Sequence, residues 1–154
     1  MMFKTHLALG LTVAFFSIKY FNPSSWAVFG TVLVIGSLIP DMDIQYSTIG
    51  RKFWPASSIL NIMFGHRGLM HTIFPPLIVA LLLFMAGYNI FGIAFAIGYM
   101  THLVADAATV QGIMFFFPLS KIRASGPIKT GGVLEYGILL LALMALYRLF
   151  ATTI

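Results

Sequence analysis

Hydrophobic residues fill five stretches of this chain, near residues 5–21, 25–39, 69–87, 90–110 and 133–150. Each runs close to the roughly 20 residues that an α-helix needs to cross the hydrocarbon of a bilayer. Polar residues punctuate them. Asn22-Pro23-Ser24-Ser25 and Gly87-Tyr88-Asn89 read as tight turns between antiparallel helices, while residues 40–68 and 111–132 form longer connections rich in Gly, Pro, Ser and charge. The pattern predicts an all-α fold, a polytopic transmembrane helical bundle of about five spans in one domain over residues 1–154. Lys4 ahead of the first apolar run is how a signal peptide begins. No small-residue cleavage site follows, however, and Lys19-Tyr20-Phe21-Asn22-Pro23 reads as an ordinary loop, so this stretch is taken as a span.

Composition strengthens that reading. Of the 154 residues 60% are hydrophobic and 8% charged, with a mean hydropathy of +0.97. A soluble domain carries about 25% charged residues, and one of this size could not cover itself with so little polar surface. The chain has no cysteine, which removes disulfides and thiolate ligands and leaves any metal to His, Asp and Glu. The net charge of +5 comes from nine Lys and Arg against four acids. These bases are scattered singly, without the dense or aromatic-interleaved runs of a nucleic-acid binder, so no nucleic-acid partner is expected.

Charge changes the picture most when the chain is followed through the membrane. If the side where it begins is called X, the spans alternate so that His6 opens the first span at X and Asp41 and Asp43 follow the second at X. His66 and His71 precede or open the third, His102 and Asp106 lie in the last turns of the fourth, and Glu135 begins the fifth. All four histidines and all four acids therefore fall on one side. Lys4, Arg51, Lys52, Arg67, Lys121, Arg123 and Lys129 lie there too, against Lys19 and Arg148 opposite. The positive-inside rule then makes X the cytoplasm, with the N-terminus cytoplasmic and the C-terminus periplasmic.

Ionisable groups at the edge of an apolar phase cost several kcal/mol unless paired or bound to an ion. His102-Leu-Val-Ala-Asp106 is an HxxxD spacing that puts both side chains on one helix face, one turn apart. The competing reading is a His–Asp hydrogen bond bracing a helix end. Asp41 and Asp43 follow Pro40, and in an extended stretch residues two apart point the same way and can address one cation. His66 and His71 are five apart, too far round a continuous helix to share a face. His66 is therefore expected in the loop and His71 in the first turn of the third span. Four histidines and four acids without thiolates suit Zn²⁺, Mn²⁺ or Fe²⁺ in N/O coordination. Seven or eight candidate ligands exceed what one ion needs and favour two ions bridged by a carboxylate, a site suited to hydrolysis of a phosphoryl or acyl ester. The candidate metal set is His6, Asp41, Asp43, His66, His71, His102 and Asp106, with Glu135 an eighth ligand or, like Asp41, a catalytic carboxylate. Arg67, with Lys121 or Arg123, would neutralise developing phosphate charge.

The succession Thr5-His6, Ile39-Pro40-Asp41-Met42-Asp43, Gly65-His66-Arg67-Gly68-Leu69-Met70-His71-Thr72, His102-Leu103-Val104-Ala105-Asp106 and Gly131-Gly132-Val133-Leu134-Glu135 resembles the YdjM-type bacterial inner-membrane proteins over nearly the whole chain. That resemblance implies a membrane-bound metal-dependent hydrolase of the inner membrane. More distantly, the order of His, Asp, His and HxxxD is similar to the ligand order of zinc-dependent phospholipase C. This chain is shorter, lacks that family's second HxxxH/E motif and starts with Met where that family has a ligating tryptophan. The function expected is hydrolysis of a phosphoester, a membrane lipid, at the cytoplasmic interface. The alternatives are a zinc amidase of the ceramidase type, an ion transporter and a non-enzymatic metal-binding protein. A transporter site normally lies near the midplane on interrupted helices, whereas these residues fall at helix ends.

Overall fold

The computed structural model describes residues 1–43 and 69–151, and of Met42 and Asp43 the backbone only. Five α-helices occupy these residues: α1 Phe3–Phe21, α2 Trp26–Leu38, α3 Phe74–Met85, α4 Asn89–Ala107 and α5 Val133–Ala151. Among the described residues there is no strand, and two isolated bridges, Thr109 with Ile128 and Ile113 with Ala124, hold the 108–132 connection together. α4 and α5 are long and apolar enough to cross a membrane; α2 and α3 are shorter apolar helices.

Helix limits follow local chemistry. α1 stops where Asn22 takes the left-handed conformation (φ 41°) and its N–H reaches back to Ile18 O at 2.9 Å. Beyond α2, Pro40 sits in a 3-10 turn, Ile39–Asp43. The extended backbone expected for the Asp41–Asp43 stretch is therefore replaced by a turn of three residues per revolution. The third apolar stretch also begins differently from expectation. Pro75 and Pro76 lack N–H groups and are tolerated in a first helical turn, so α3 starts at Phe74. His71 consequently lies in a separate 3-10 turn, Leu69–His71, and not in the helix. α4 ends at Ala107, short of residue 110, where the Thr109 hydroxyl caps the Asp106 carbonyl at 2.7 Å.

α2 packs on both α1 and α4. Its closeness to α4 depends on glycine: a Cβ at Gly98 would overlap the Leu33 carbonyl, and one at Gly36 would come within 2.7 Å of Phe95 O. Phe29, Leu33 and Ala94 form one buried cluster there, and Phe95, Tyr99, Leu103 and Ile113 a second. α3 packs on α4, and α5 on α1. The outward faces of α3 and α5 expose Leu77, Leu81, Met85, Leu140, Leu141 and Met144, an apolar belt that suits lipid rather than water.

Candidate metal centre

The two glycine contacts bring the end of α2 against the last turns of α4. Helix ends leave carbonyls without intrahelical partners, and the Ser37 carbonyl, one residue from the end of α2, is met by His102 Nδ1 at 2.8 Å. A carbonyl only accepts, so Nδ1 carries the proton and Nε2 presents its lone pair. That Nε2 is fully buried and makes no hydrogen bond among the described residues. A buried imidazole lone pair with no donor facing it is costly, and a metal ion is the partner that such a nitrogen ordinarily takes.

Around it converge His6 from the first turn of α1, Asp41 from the turn after α2, His71 from the turn before α3, and Asp106 one turn further along α4. Asp41 Oδ1 lies 3.8 Å and Asp106 Oδ2 3.9 Å from His102 Nε2. His71 Nε2 is 3.7 Å from Asp106 Oδ2, and His6 Nε2 is 3.2 Å from Asp106 Oδ1. The His6 ring stacks on His102 with centroids 3.8 Å apart and planes at 11°, while His71 meets His102 edge-on at 5.5 Å. Two overlapping triads result, His6–Asp41–His102 and His71–His102–Asp106, each with donor atoms within 4.8 Å of one another. They share His102. All five residues are buried, Asp41 at 7% being the most open. Burial pushes the Asp41 carboxyl above the ordinary carboxylate range against the opposing pull of His6. The Met1 ammonium forms an ion pair with Asp106, so a positive charge already stands beside that carboxylate.

The donor set fits a divalent first-row ion, with imidazole nitrogens and carboxylate oxygens at one spot and one nitrogen tautomerically fixed for coordination. Five of the residues singled out in the sequence are thus brought together. Glu135 is completely buried nearby, but its oxygens are engaged: Oε1 accepts Met2 N–H at 2.5 Å and Oε2 accepts Gly131 N–H at 2.6 Å. The second bond is a reach-back from the first turn of α5 to the residues just before it, close to a capping box. Glu135 belongs to neither triad. Lys121 and Arg123 are exposed on the 108–132 connection, where Arg123 Nη1 donates to Gln111 O at 2.7 Å. His66, Arg67 and the side chain of Asp43 lie outside the described residues.

Sequence reading missed two contributors. The Ser37 carbonyl carries no side-chain signal. Tyr99 does: a tyrosine three residues before His102 lies on nearly the same face of an apolar helix, and its hydroxyl donates to Met70 O at 2.5 Å, fixing the turn that carries His71.

Residues 1–154 match the family described as YdjM inner membrane protein. The chain belongs to that family. It is also similar to a Bacillus subtilis (strain 168) protein named "Uncharacterized protein YvsG", 36% identical over 157 residues that cover 96% of this chain and 95% of the relative. No solved structure matches. Membership of the YdjM family makes this an inner membrane protein and agrees with the two membrane-length helices and the apolar belt.

Proposed function

We propose that the protein is a membrane-embedded, metal-dependent hydrolase acting on a phosphoester of a membrane lipid. The observation that carries this reading is the pair of buried triads sharing His102, whose Nε2 is left as a bare acceptor by the Ser37 hydrogen bond. His6, Asp41, His71, His102 and Asp106 would hold the ion, zinc being the first choice and manganese or iron the alternatives. Five donors, with Asp43 and His66 further candidates, are more than one zinc requires, so a second ion belongs to the proposal. When bound, such an ion supplies Lewis acidity toward a phosphoryl oxygen and lowers the pKa of a nearby water. Glu135 acts by holding Met2 and the start of α5 against the cluster. Arg67 is retained as the phosphate-binding base.

In this reading all five described helices cross or enter the bilayer, and the cluster lies at the cytoplasmic face, where seven of the nine bases fall. Burial of all five donors also favours a second reading, a purely structural metal with no turnover. The deciding experiment is metal analysis of the purified protein, followed by hydrolysis assays on a panel of phospholipids with and without chelator. Stoichiometric metal with chelator-sensitive lipid hydrolysis supports the enzyme. Stoichiometric metal without turnover on any lipid supports the structural reading, and absence of bound metal removes both.

A further inference from the structure

α1 and α4 carry His6, His102 and Asp106 at one end. A groove of about 600 Å³ opens between them, lined by Leu9 and Val13 of α1 and by Ala96, Met100, Val104 and Ala105 of α4. Its walls are almost wholly apolar. Thr101, the one polar residue along it, donates its hydroxyl proton back to Ile97 O at 2.8 Å and offers the groove no donor. α2 packs on both of these helices.

The groove and the cluster share their helices and their direction. Leu9 follows His6 by three residues on α1, and Ala105 lies between His102 and Asp106 in sequence, so the upper end of the groove is formed by the same helix turns that carry the His6–Asp106 contact. From Ala105 down to Ala96 the α4 wall descends nine residues, about 13 Å at 1.5 Å per residue. That is close to the roughly 15 Å depth of one leaflet, half of a ~30 Å hydrocarbon core. α4 is itself long enough to span. We infer that this groove is the seat of one acyl chain of the lipid substrate, holding the chain along α1 and α4 so that the phosphoester sits at the His–Asp cluster. The inference rests on the hydrolase reading for the identity of that lipid as substrate. The groove's shape, depth and apolar lining argue separately for an acyl chain as its occupant.

The test uses the full chain in nanodiscs of phosphatidylethanolamine and phosphatidylglycerol containing a diacyl phospholipid with a photoreactive diazirine near the end of one chain. Crosslinks concentrated on Leu9, Val13, Ala96 and Met100, and reduced in Ala96→Phe, are expected. Equal labelling of the groove and of the lipid-facing residues Leu81 and Leu140 would overturn the proposal, since the groove would then hold only bulk lipid. The second readout is turnover. Ala96→Phe, which fills the lower groove without touching the cluster, should slow hydrolysis of a long-chain phospholipid by at least about tenfold while sparing the dihexanoyl analogue. Equal loss on both substrates would overturn the chain-seating role. If the wild type hydrolyses neither lipid but the crosslinks remain concentrated and sensitive to Ala96→Phe, the hydrolase reading falls and the acyl-chain site stands.

Discussion

His102 is oriented by another helix: its Nδ1 donates to the Ser37 carbonyl at the end of α2 at 2.8 Å, and its Nε2 is thereby turned toward Asp41 and Asp106. The bond couples the packing of α2 on α4 to the tautomer of the central ligand. His102→Ala should therefore lower metal affinity by at least ~100-fold, more than the loss of an outer hydrogen-bonding partner usually costs, and abolish hydrolysis. Without metal its stability in detergent should fall by only ~1 kcal/mol, the size of an intramembrane hydrogen bond. Unchanged metal content with that same loss of stability would leave His102 as a brace between helices.

Glu135 should show the reverse balance, with stability lost and metal kept. Both of its oxygens accept backbone N–H groups, from Met2 and Gly131. Glu135→Ala strips the acceptor from two backbone donors, Met2 half-buried and Gly131 exposed, and should cost about 1–3 kcal/mol, because water can take up the Gly131 N–H and leaves mainly that of Met2 unsatisfied. Glu135→Gln keeps one carbonyl acceptor and should lose about half as much. In both variants, the protein that remains folded should hold metal close to wild-type stoichiometry. Metal loss in Glu135→Gln with stability unchanged would instead make Glu135 a ligand. Thermal melts with metal analysis of the folded fraction separate the two.

The cluster was largely legible from the sequence because helix period and span alternation are both written in side chains. HxxxD gives a shared face whatever the tertiary context, and counting spans sends His6, Asp41, His71, His102, Asp106 and Glu135 to one end of the bundle. What could not be read depended on backbone. Ser37 contributes a carbonyl, and its availability depends on where α2 ends and how closely Gly36 and Gly98 allow α4 to approach. Pro40 and the Pro75-Pro76 pair were visible, but the 3-10 turns they accompany, which replace the expected extended backbone after Pro40 and move His71 out of α3, arise from competition between local geometries that periodicity does not resolve. Glu135 was seen as chemistry because acids near a membrane are costly. Gly131-Gly132-Val133-Leu134-Glu135 also carries the spacing of a helix-start motif, which is the part the structure displays.

Orientation is open to direct measurement. Seven of nine bases lie on the side of the cluster in the five-span arrangement, so a reporter fused after Ile154 should be active when it requires the periplasm and silent when it requires the cytoplasm. The opposite pattern would reverse the sidedness. A C-terminal reporter on the same side as one inserted at the N-terminus would instead exclude an odd number of spans.

Asp106 gives the most discriminating substitution, because it sits where the structural and metal readings assign the carboxylate different tasks. In the structure it is met by the Met1 ammonium, by His6 Nε2 at 3.2 Å and by His71 Nε2 at 3.7 Å. Asparagine keeps the shape and one oxygen acceptor but removes the negative charge. If Asp106 only braces α1 and the His71 turn against α4, Asp106→Asn should retain metal content and turnover and lose about 1–2 kcal/mol of stability from the weakened charge-assisted bonds. If it is a ligand, the neutral amide is a far poorer donor for a divalent ion, and metal content and lipid hydrolysis should fall together. The apo protein is then the informative control. The wild-type carboxylate should make stability depend strongly on added metal, by RT ln(1 + [L]/Kd), about 2.7 kcal/mol at a hundredfold excess over Kd. The variant should show almost none of that increment at the same metal concentration. A full metal-dependent rise in melting temperature in Asp106→Asn would exclude Asp106 from the ligand set and leave His6, Asp41 and His102 as the remaining triad.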